Sequence, residues 1–229
     1  MTDREGPVII LGGHGQIGQI LTRKLVAKGI PVRSVIRKGR QVRAVEDLGA
    51  EAVIFDLEAM NSSDLAKVFR GGSAIVFAAG AGPGSEARRK RTVDYGASVL
   101  AQRAAMEAGV SRFIQISAYG LQLALSKDEP ETWREYVRAK RDADLELTET
   151  TLNWTILRPT LLTNEPGTGR ISAALEWLPE EKAFPIPRAD VADAIIVLLE
   201  QGILVHKLVD IAGGDIPVEE ALDALTTAS

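Results

Sequence analysis

The feature that most restricts how this chain can fold is a glycine-rich turn close to its start. Glycines recur at Gly12, Gly15 and Gly18, directly after the apolar run Val8–Leu11. Apolar residues at helical spacing then follow, at Ile17, Ile20, Leu21 and Leu25. A strand, a glycine turn and a helix form the first half of a βαβ unit, in which glycine allows a tight turn and a close approach of the backbone. The sequence therefore predicts a helix N-terminus that is open to a phosphate group.

This turn supplies the first candidate cofactor-binding residues. The spacing is typical of the pyrophosphate-binding loop of dinucleotide-binding domains, because a strand precedes it and a helix follows. The candidates are Gly12, Gly13, His14, Gly15, Gln16, Ile17 and Gly18. The alternative is an ordinary turn between a strand and a helix that binds no ligand.

The end of the second predicted strand indicates which dinucleotide would bind. Domains that bind NAD carry an acid about 20 residues beyond the glycines, where it accepts hydrogen bonds from ribose hydroxyls. Here Arg37 and Lys38 follow Ile36, and no acid occurs before Glu46. Cations at this place would pair with a 2′-phosphate. The sequence therefore favours NADP(H) over NAD(H), and a solvated basic turn is the alternative.

Composition excludes several other classes of function. The net charge of −4 over 229 residues gives no broad basic surface, so we expect no nucleic-acid partner. The chain has no cysteine, which excludes disulfides and thiolate chemistry, and its two histidines are far apart, so we expect no metal site. The polar start lacks the apolar segment of a signal peptide, and no apolar run approaches the ~20 residues that span a bilayer. We therefore expect a cytoplasmic protein without a membrane partner.

Short apolar runs alternate with helical patterns along almost the whole chain. The strand candidates are Val8–Leu11, Val32–Ile36, Ala52–Phe55, Ala74–Ala78, Phe113–Ser117, Trp154–Leu157 and Leu208–Ile211. The helix candidates are Gln16–Lys28, Gln41–Leu48, Ser62–Phe69, Arg88–Ala108, Trp133–Thr148 and Asp190–Glu200. This alternation predicts an α/β fold, a doubly wound and mostly parallel sheet with helices on both faces. We expect a single domain over residues 1–229, with a small substrate-side flap at about 160–187.

Ligands of such sheets bind at the carboxyl ends of the strands, so the residues that follow each strand are site candidates. Asp56 follows the third strand and could accept a hydrogen bond from an adenine amino group, or equally could cap the approach to a helix. Ala78, Ala79 and Gly80 follow the fourth strand, where small residues let backbone lie beside a ribose.

Three further residues predict a catalytic group. Ser117 ends the fifth strand, and Tyr136 and Lys140 stand four residues apart on the next helix, one turn from each other on one face. A neighbouring ammonium favours the phenolate, so we expect Lys140 to lower the pKa of Tyr136. Ser117 could donate a hydrogen bond to a substrate carbonyl. The alternative is an amphipathic helix with a buried tyrosine.

Together these residues resemble the short-chain dehydrogenase/reductase superfamily. The spacing of the glycines resembles its extended and atypical branches, above all small bacterial NAD(P)H-binding proteins related to flavin/biliverdin-IXβ reductase and to NmrA-like NADP sensors. Further matching stretches are Arg112–Ala118, Tyr136–Lys140, Leu157–Pro159, Asn164–Gly169 and Arg188–Ala194. The resemblance implies a Rossmann-like fold and additional site residues.

Within that resemblance, Asp56 and Leu57 would flank the adenine, and Lys140 would bond the nicotinamide ribose. Pro159 and Thr160 would border the nicotinamide ring.

Three functions are compatible with these sequence features. The first is an NADPH-dependent oxidoreductase that transfers hydride to a small carbonyl, quinone or flavin-type acceptor. The second is a non-catalytic NADP(H)-binding redox sensor. The third, a nucleotide-sugar epimerase or dehydratase, is less favoured because the stretch after Pro159 is short for a substrate domain. The expected partner is a small molecule, and the protein is expected to be a monomer or homodimer.

Overall fold

The computed structural model describes residues 6–82, 84–123 and 125–227, so the polar start at 1–5 lies outside it. The strands are β1 (Val8–Leu11), β2 (Val32–Ile36), β3 (Glu51–Ile54), β4 (Ala74–Phe77), β5 (Arg112–Ile116), β6 (Asn153–Pro159), β7 (Leu162–Thr163), β8 (Arg170–Leu175), β9 (Ile186–Pro187), β10 (Lys207–Gly213) and β11 (Ile216–Pro217). The α-helices are α1 (Gln16–Ala27), α2 (Val42–Glu46), α3 (Ser62–Phe69), α4 (Ala87–Arg89), α5 (Ser98–Ala108), α6 (Glu131–Thr148), α7 (Arg188–Gln201) and α8 (Val218–Thr226). Short 3₁₀ turns lie at Gly39–Gln41 and Glu180–Lys182, and a π-helix at Lys90–Ala97 joins α4 to α5.

Nine strands form one sheet in the order β11-β8-β10-β6-β5-β4-β1-β2-β3. The pairings from β3 through to β10 are parallel, whereas β8 pairs antiparallel with both β10 and β11. Strands β7 and β9 form a separate parallel pair. The strand order reverses between β1 and β4, which is where doubly wound sheets bind ligands. The predicted Rossmann-like α/β fold is confirmed.

Helices cover both faces of this sheet and explain its apolar strands. All four residues of β1 are buried, and they alternate between two core clusters. Val8 and Ile10 pack with residues of α1, α7 and α8, while Ile9 and Leu11 pack with residues of α3 and α5. Because both faces are buried, the strand reads as an unbroken apolar run rather than an alternating one.

The observed elements depart from the sequence prediction mainly in the second half of the chain. Strands β1 and β2 and helix α3 have the predicted bounds, whereas the single helix predicted over Arg88–Ala108 contains the π-helical segment. The stretch predicted as a flap contributes β8, which lies in the main sheet between β10 and the edge strand β11, and α8 was not predicted. Strand β8 has the sequence RISAAL, and only Ile171 in it is buried.

Among the described residues, no helix has both the length and the apolar character that crossing a membrane requires.

Candidate active site

The glycine turn lies at the carboxyl ends of β1, β2 and β4. Gly12 has φ +80°, and a Cβ there would lie 2.8 Å from the backbone N of Ala79. A Cβ on Gly18 would lie 2.6 Å from the carbonyl oxygen of Gly12. Both positions exclude any larger residue, because real Cβ atoms do not approach backbone this closely. The turn is thus held against the sheet, and α1 begins directly above it.

The N-terminus of α1 is open in the way that anion binding requires. Gly15 stands at its N-cap with no side-chain hydrogen bond, and the first turn holds no acidic residue. The first N–H groups of a helix have no partner within the helix, and the helix dipole places partial positive charge there. A phosphate group would satisfy these donors, so the structure suits the pyrophosphate of a dinucleotide.

A cavity of about 290 Å³ extends from this turn along the ends of β2, β3 and β4. Nine of the predicted cofactor residues line it, namely Gly12, His14, Gly15, Arg37, Asp56, Leu57, Ala78, Ala79 and Gly80. Seven further lining residues were not among the predicted cofactor residues, namely Val35, Ile36, Gln41, Phe55, Glu58, Arg89 and Val93. The cavity therefore gathers residues from five separate stretches of the chain.

Other predicted cofactor residues lie around this cavity rather than in its lining. Gly13 packs against Ser34, and Ile17 packs against the core beneath α1. Lys38 is exposed, and its backbone N–H donates to Gln41 Oε1 at 2.8 Å. Of the two predicted phosphate cations, Arg37 is thus the one that reaches the cavity.

Arg37 is not free, because an acidic residue already holds it. Glu58 Oε2 accepts hydrogen bonds from Arg37 Nη1 and from Arg89 Nη2, each at 3.0 Å. Glu58 Oε1 accepts from Thr92 Oγ1 at 2.6 Å. Burial would raise the pKa of Glu58, but the hydrogen bonds from Thr92 and Arg89 outweigh it and lower the pKa. Glu58 is therefore an anion between two guanidinium groups at the wall of the cavity.

Two of the predicted catalytic residues, Ser117 and Lys140, lie together at the end of β5. The Ser117 N–H donates to Leu157 O at 2.8 Å, which continues the ladder between β5 and β6. Lys140 Nζ donates to Ile116 O at 3.0 Å and lies 3.7 Å from Asp94 Oδ1. Lys140 and Asp94 are both buried, so the ammonium is held in place at the carboxyl end of β5.

Asp94 also connects this group to the cofactor cavity. Its Oδ2 accepts a hydrogen bond from the Ala81 N–H at 3.2 Å, in the loop that follows β4. The π-helix carries Asp94, whereas α6 carries Lys140, so one carboxylate ties three elements together. A π-helical segment shifts the register of the residues around it, and such segments are frequent at functional sites.

Tyr136 lies one turn before Lys140 on α6 and is partly buried. Its ring lies 5.5 Å from the ring of Trp133, and Lys90 Nζ lies 5.3 Å from its centroid. Burial raises the pKa of Tyr136, and the opposing effect of Lys140 is smaller. The expectation that Lys140 would lower this pKa overall is therefore wrong, because the sequence shows the ammonium but not the desolvation. The phenol stays protonated at neutral pH.

Behind Ser117 lies a buried acid that the sequence reasoning missed. Asp144 Oδ2 accepts a hydrogen bond from Ser117 Oγ at 2.6 Å, and Oδ1 accepts from Gln115 Nε2 at 2.6 Å. Burial raises the pKa of Asp144 to about 6, against the hydrogen bonds from Ser117 and Gln115. Asp144 stands four residues after Lys140, so the same helical spacing that revealed Tyr136 could have revealed it.

A buried ion pair anchors the segment on the substrate side. Arg158 Nε lies 2.7 Å from Asp210 Oδ1, and the arginine also donates to the carbonyl oxygen of Glu176. Asp210 Oδ2 accepts from the Leu178 N–H at 3.0 Å. The segment that carries Trp177 is therefore tied to β6 and β10 through its backbone.

The remaining predicted nicotinamide-side residues lie at the end of β6. Thr160 is buried, and its Oγ1 donates to Phe184 O at 2.6 Å, while the Pro159 carbonyl accepts from the Tyr119 N–H at 2.9 Å. Both residues thus help to hold the connections on the substrate side.

A second cavity of about 240 Å³ lies between α1 and the chain after β7. It is lined by Gln16, Gln19, Ile20, Arg23, Thr163, Asn164, Glu165, Arg188 and Ala189. Arg188 Nη1 donates to Asn164 Oδ1 at 2.8 Å, while the buried Thr163 hydroxyl has no hydrogen-bond partner in the described part of the chain. Because Gln16 is the first residue of α1, this cavity adjoins the N-terminus of that helix.

Over residues 6–82, 84–123 and 125–227, no three acidic or histidine side chains are grouped as a metal site would need.

Comparison with known proteins decides the family. A family model described as NAD(P)H-binding matches residues 12–202. The chain belongs to this NAD(P)H-binding family. A relative from Bacillus subtilis strain 168, named uncharacterized sugar epimerase YhfK, is 37% identical over 219 residues, which cover 95% of this chain and 99% of the relative.

Two solved structures of other proteins are similar to this chain in fold. One, from Bacillus halodurans and named for NAD-dependent epimerases and dehydratases, has a TM-score of 0.85 and 29% identity, and the match covers 96% of this chain and 100% of that one. The other is ChuY, an anaerobillin reductase from Escherichia coli O157:H7, with a TM-score of 0.73 and 25% identity over 92% of this chain and 98% of that one. The resemblance to NAD(P)H-binding reductase-like proteins is thus confirmed.

Proposed function

We propose that this protein is an NADPH-dependent oxidoreductase that reduces a small carbonyl, quinone or flavin-type acceptor. The observation that carries the proposal is the buried Lys140 ammonium, held beside Ser117 at the carboxyl end of β5. Asp94 connects this ammonium to the loop after β4, next to the cofactor cavity. A site that only binds a nucleotide needs no such buried cation next to a tyrosine and a serine. The reductase named among the solved structures supports the same reading.

The cofactor would lie along the cavity with its pyrophosphate at the glycine turn. The open N–H groups at the start of α1 would bind the pyrophosphate, and Asp56 and Leu57 would flank the adenine. Arg37 would contact the 2′-phosphate, with Arg89 as a second cation and Lys38 adding charge from outside the cavity. Lys140 would bond the nicotinamide ribose, and Pro159 and Thr160 would border the nicotinamide ring.

The catalytic residues would supply a proton to the acceptor. When bound, reduced nicotinamide supplies a hydride, that is two electrons and a proton, to the acceptor. Tyr136, kept protonated by burial, would donate its hydroxyl proton to the acceptor oxygen and leave a phenolate. The Lys140 ammonium one turn away would stabilise that phenolate. Solvent would then return the proton to Tyr136.

A second candidate function comes from the names of two relatives. YhfK and the Bacillus halodurans protein are both named for epimerase chemistry. An epimerase regenerates its cofactor in each cycle, so it would bind the dinucleotide without net consumption of NADPH. The two functions therefore differ in a quantity that is simple to measure.

The first test is a fluorescence titration of the purified protein with NADPH and with NADH, followed by an acceptor screen that records NADPH consumption. We expect tighter binding of NADPH and net consumption with at least one carbonyl or quinone. Binding without consumption across the screen would contradict the reductase and favour an epimerase or a sensor.

The matched variants for the screen are Tyr136→Phe and Tyr95→Phe. Loss of the proton donor should lower turnover by about 100-fold or more, since general acid catalysis contributes that much. Tyr95 also lies in this region, but its hydroxyl donates to the exposed Glu146 at 3.2 Å, so its variant should keep full activity. Equal activity of the two variants would remove the proton-donor role from Tyr136.

A further inference from the structure

The hydroxyl of Ser117 has one proton, and the structure shows where it points. Ser117 Oγ lies 2.6 Å from Asp144 Oδ2, and both residues are buried. An ionised carboxylate can only accept hydrogen bonds, so the hydroxyl must be the donor of this one. With Asp144 ionised, Ser117 therefore offers only lone pairs to a ligand and cannot donate to a carbonyl oxygen.

Burial favours the neutral form of Asp144, whereas the nearby cations Lys140 and Arg158 favour the ionised form but are each shared with another carboxylate. Lys140 on the same helix is the cation between Asp144 and Asp94, so two carboxylates compete for one buried ammonium. Arg158 on β6 also faces Asp144, but Asp210 already holds it in an ion pair of 2.7 Å.

The other groups near Asp144, including the protonated Tyr136 on the same helix, are uncharged or belong to the surface. Gln115 on β5 donates to Asp144, and Ser98 and Gln102 on α5 continue the same buried network. Tyr95 and Arg91 of the π-helix pair with Glu146 and Asp142 on the exposed side of α6. One proton on Asp144 thus balances the buried charges, and burial raises the pKa of Asp144 to about 6.

The proton would go to one particular oxygen. Gln115 Nε2 donates to Asp144 Oδ1 at 2.6 Å, and an amide nitrogen cannot accept in return, so Oδ1 stays an acceptor. The proton therefore goes to Oδ2, which faces Ser117. Asp144 then becomes the donor of the hydrogen bond to Ser117. The hydroxyl hydrogen of Ser117 is no longer used in that bond and can point into the site.

We propose that Asp144 is a positioning residue that sets the direction of the Ser117 hydroxyl, so that Ser117 donates to the acceptor carbonyl only when Asp144 carries a proton. The part that concerns the acceptor rests on the proposed function. The direction of the Ser117–Asp144 bond itself does not. The sequence predicts that Ser117 polarises a carbonyl, and under this proposal it does so only while Asp144 is protonated.

The variant that tests this is Asp144→Asn. An asparagine can turn its carbonyl oxygen to Gln115 and its Nδ2 to Ser117, which copies the protonated state at every pH. The assay is NADPH-dependent reduction of 9,10-phenanthrenequinone between about pH 5 and about pH 8. We expect turnover of the unmodified protein to rise about tenfold toward acid pH, which is what one hydrogen bond contributes. We expect Asp144→Asn to stay near the acid-side level throughout.

Two further variants separate this role from a merely structural one. Ser117→Ala has no hydroxyl to turn, so the pH response through Asp144 should vanish, and adding Asp144→Asn should change nothing more. Asp142→Asn alters an acid on the exposed side of the same helix, paired with Arg91, and should keep the original profile. A shared pH profile for the unmodified protein and Asp144→Asn would overturn the proposal.

An infrared measurement without any acceptor makes the result independent of turnover. The spectrum of the unmodified protein minus that of Asp144→Asn should show a carboxylic acid band that grows as the pH falls through about 6. No such band down to about pH 5 would overturn the proposal whatever the kinetics show. Failure of the proposed function shows differently: no variant would consume NADPH at any pH, which would overturn the role of Ser117 toward the acceptor even with the band present.

Discussion

Replacement of Arg37 tests the preference for NADPH most directly. The side chain of Arg37 is 43% exposed, and that of its partner Glu58 is 25% exposed. Such a pair contributes under about 1 kcal/mol, so Arg37→Ala should leave the free energy of unfolding nearly unchanged. Any effect on the cofactor is thus separable from an effect on the fold.

The expected change in affinity follows from a competition between the 2′-phosphate and the carboxylates that Arg37 already pairs with, Glu58 at 3.0 Å and, less closely, Asp56 at 3.8 Å. A hydrogen bond between a guanidinium and a phosphate contributes about 1.5–3 kcal/mol. Release of Glu58 from Arg37 costs about 1 kcal/mol of that, because the existing pair must break. The net loss in Arg37→Ala is then about 0.5–2 kcal/mol, which raises the Kd for NADPH about 2- to 30-fold. NADH carries no 2′-phosphate, so its Kd should change less than about twofold.

The assay is the fluorescence titration of each variant with both dinucleotides. Arg40→Ala is the matched control, since Arg40 belongs to the same basic turn but does not line the cavity. Glu58→Gln should act in the opposite direction and tighten NADPH binding, because it removes the competing anion. Equal weakening of NADPH and NADH by Arg37→Ala would refute a contact with the 2′-phosphate.

Three further changes test the turn, the buried acid and the anchor. Gly12→Ala should abolish NADPH binding and destabilise the fold by about 1–3 kcal/mol, because its Cβ would meet Ala79. Gly29→Ala is the control: Gly29 also has a positive φ, +75°, but a Cβ there meets open space, so this variant should keep NADPH binding. Urea unfolding and the NADPH titration would measure both effects. The pKa of Asp144 rises from 3.8 to about 6 on folding, so the folded protein binds more protons between these values and its stability falls as the pH rises through them. Asp144→Asn should lack this slope and be more stable at neutral pH by about 3 kcal/mol in denaturant titrations, and a less stable variant would contradict it. Asp210→Ala should lower stability by about 3–5 kcal/mol, because it leaves Arg158 buried without its partner, and a loss under about 1 kcal/mol would show that the pair is not needed.

Much of the fold could be predicted because it depends on local patterns. Strand β1, the glycine turn and helix α3 follow from apolar runs, spacing and the Asn61 cap, whose side chain accepts from the Asp64 N–H. Strand β8 could not be predicted in this way, since its pairing depends on β10, which follows it by more than thirty residues. The π-helix was missed for a similar reason, because its apolar and polar residues fit an ordinary helix equally well.

The site shows the same division between local and distant contacts. Arg37, Asp56 and the glycines could be predicted, as each directly follows a strand. Glu58 and Arg89 could not, because they meet across 31 positions of sequence. The wrong direction for the Tyr136 pKa also arose from distance, since the burial that dominates it comes from the fold and not from the neighbouring turn of α6.

The anchor between Arg158 and Asp210 has a consequence for how this protein can diversify. Arg158 and Asp210 bind the substrate-side segment at the carbonyl of Glu176 and the N–H of Leu178. Both are backbone groups, and only a proline at position 178 would remove one of them. The segment is therefore held at these two points by its backbone. Trp177, which is exposed, can change to suit a different acceptor while the sheet keeps the same attachment. A library randomised there should yield folded proteins with altered selectivity.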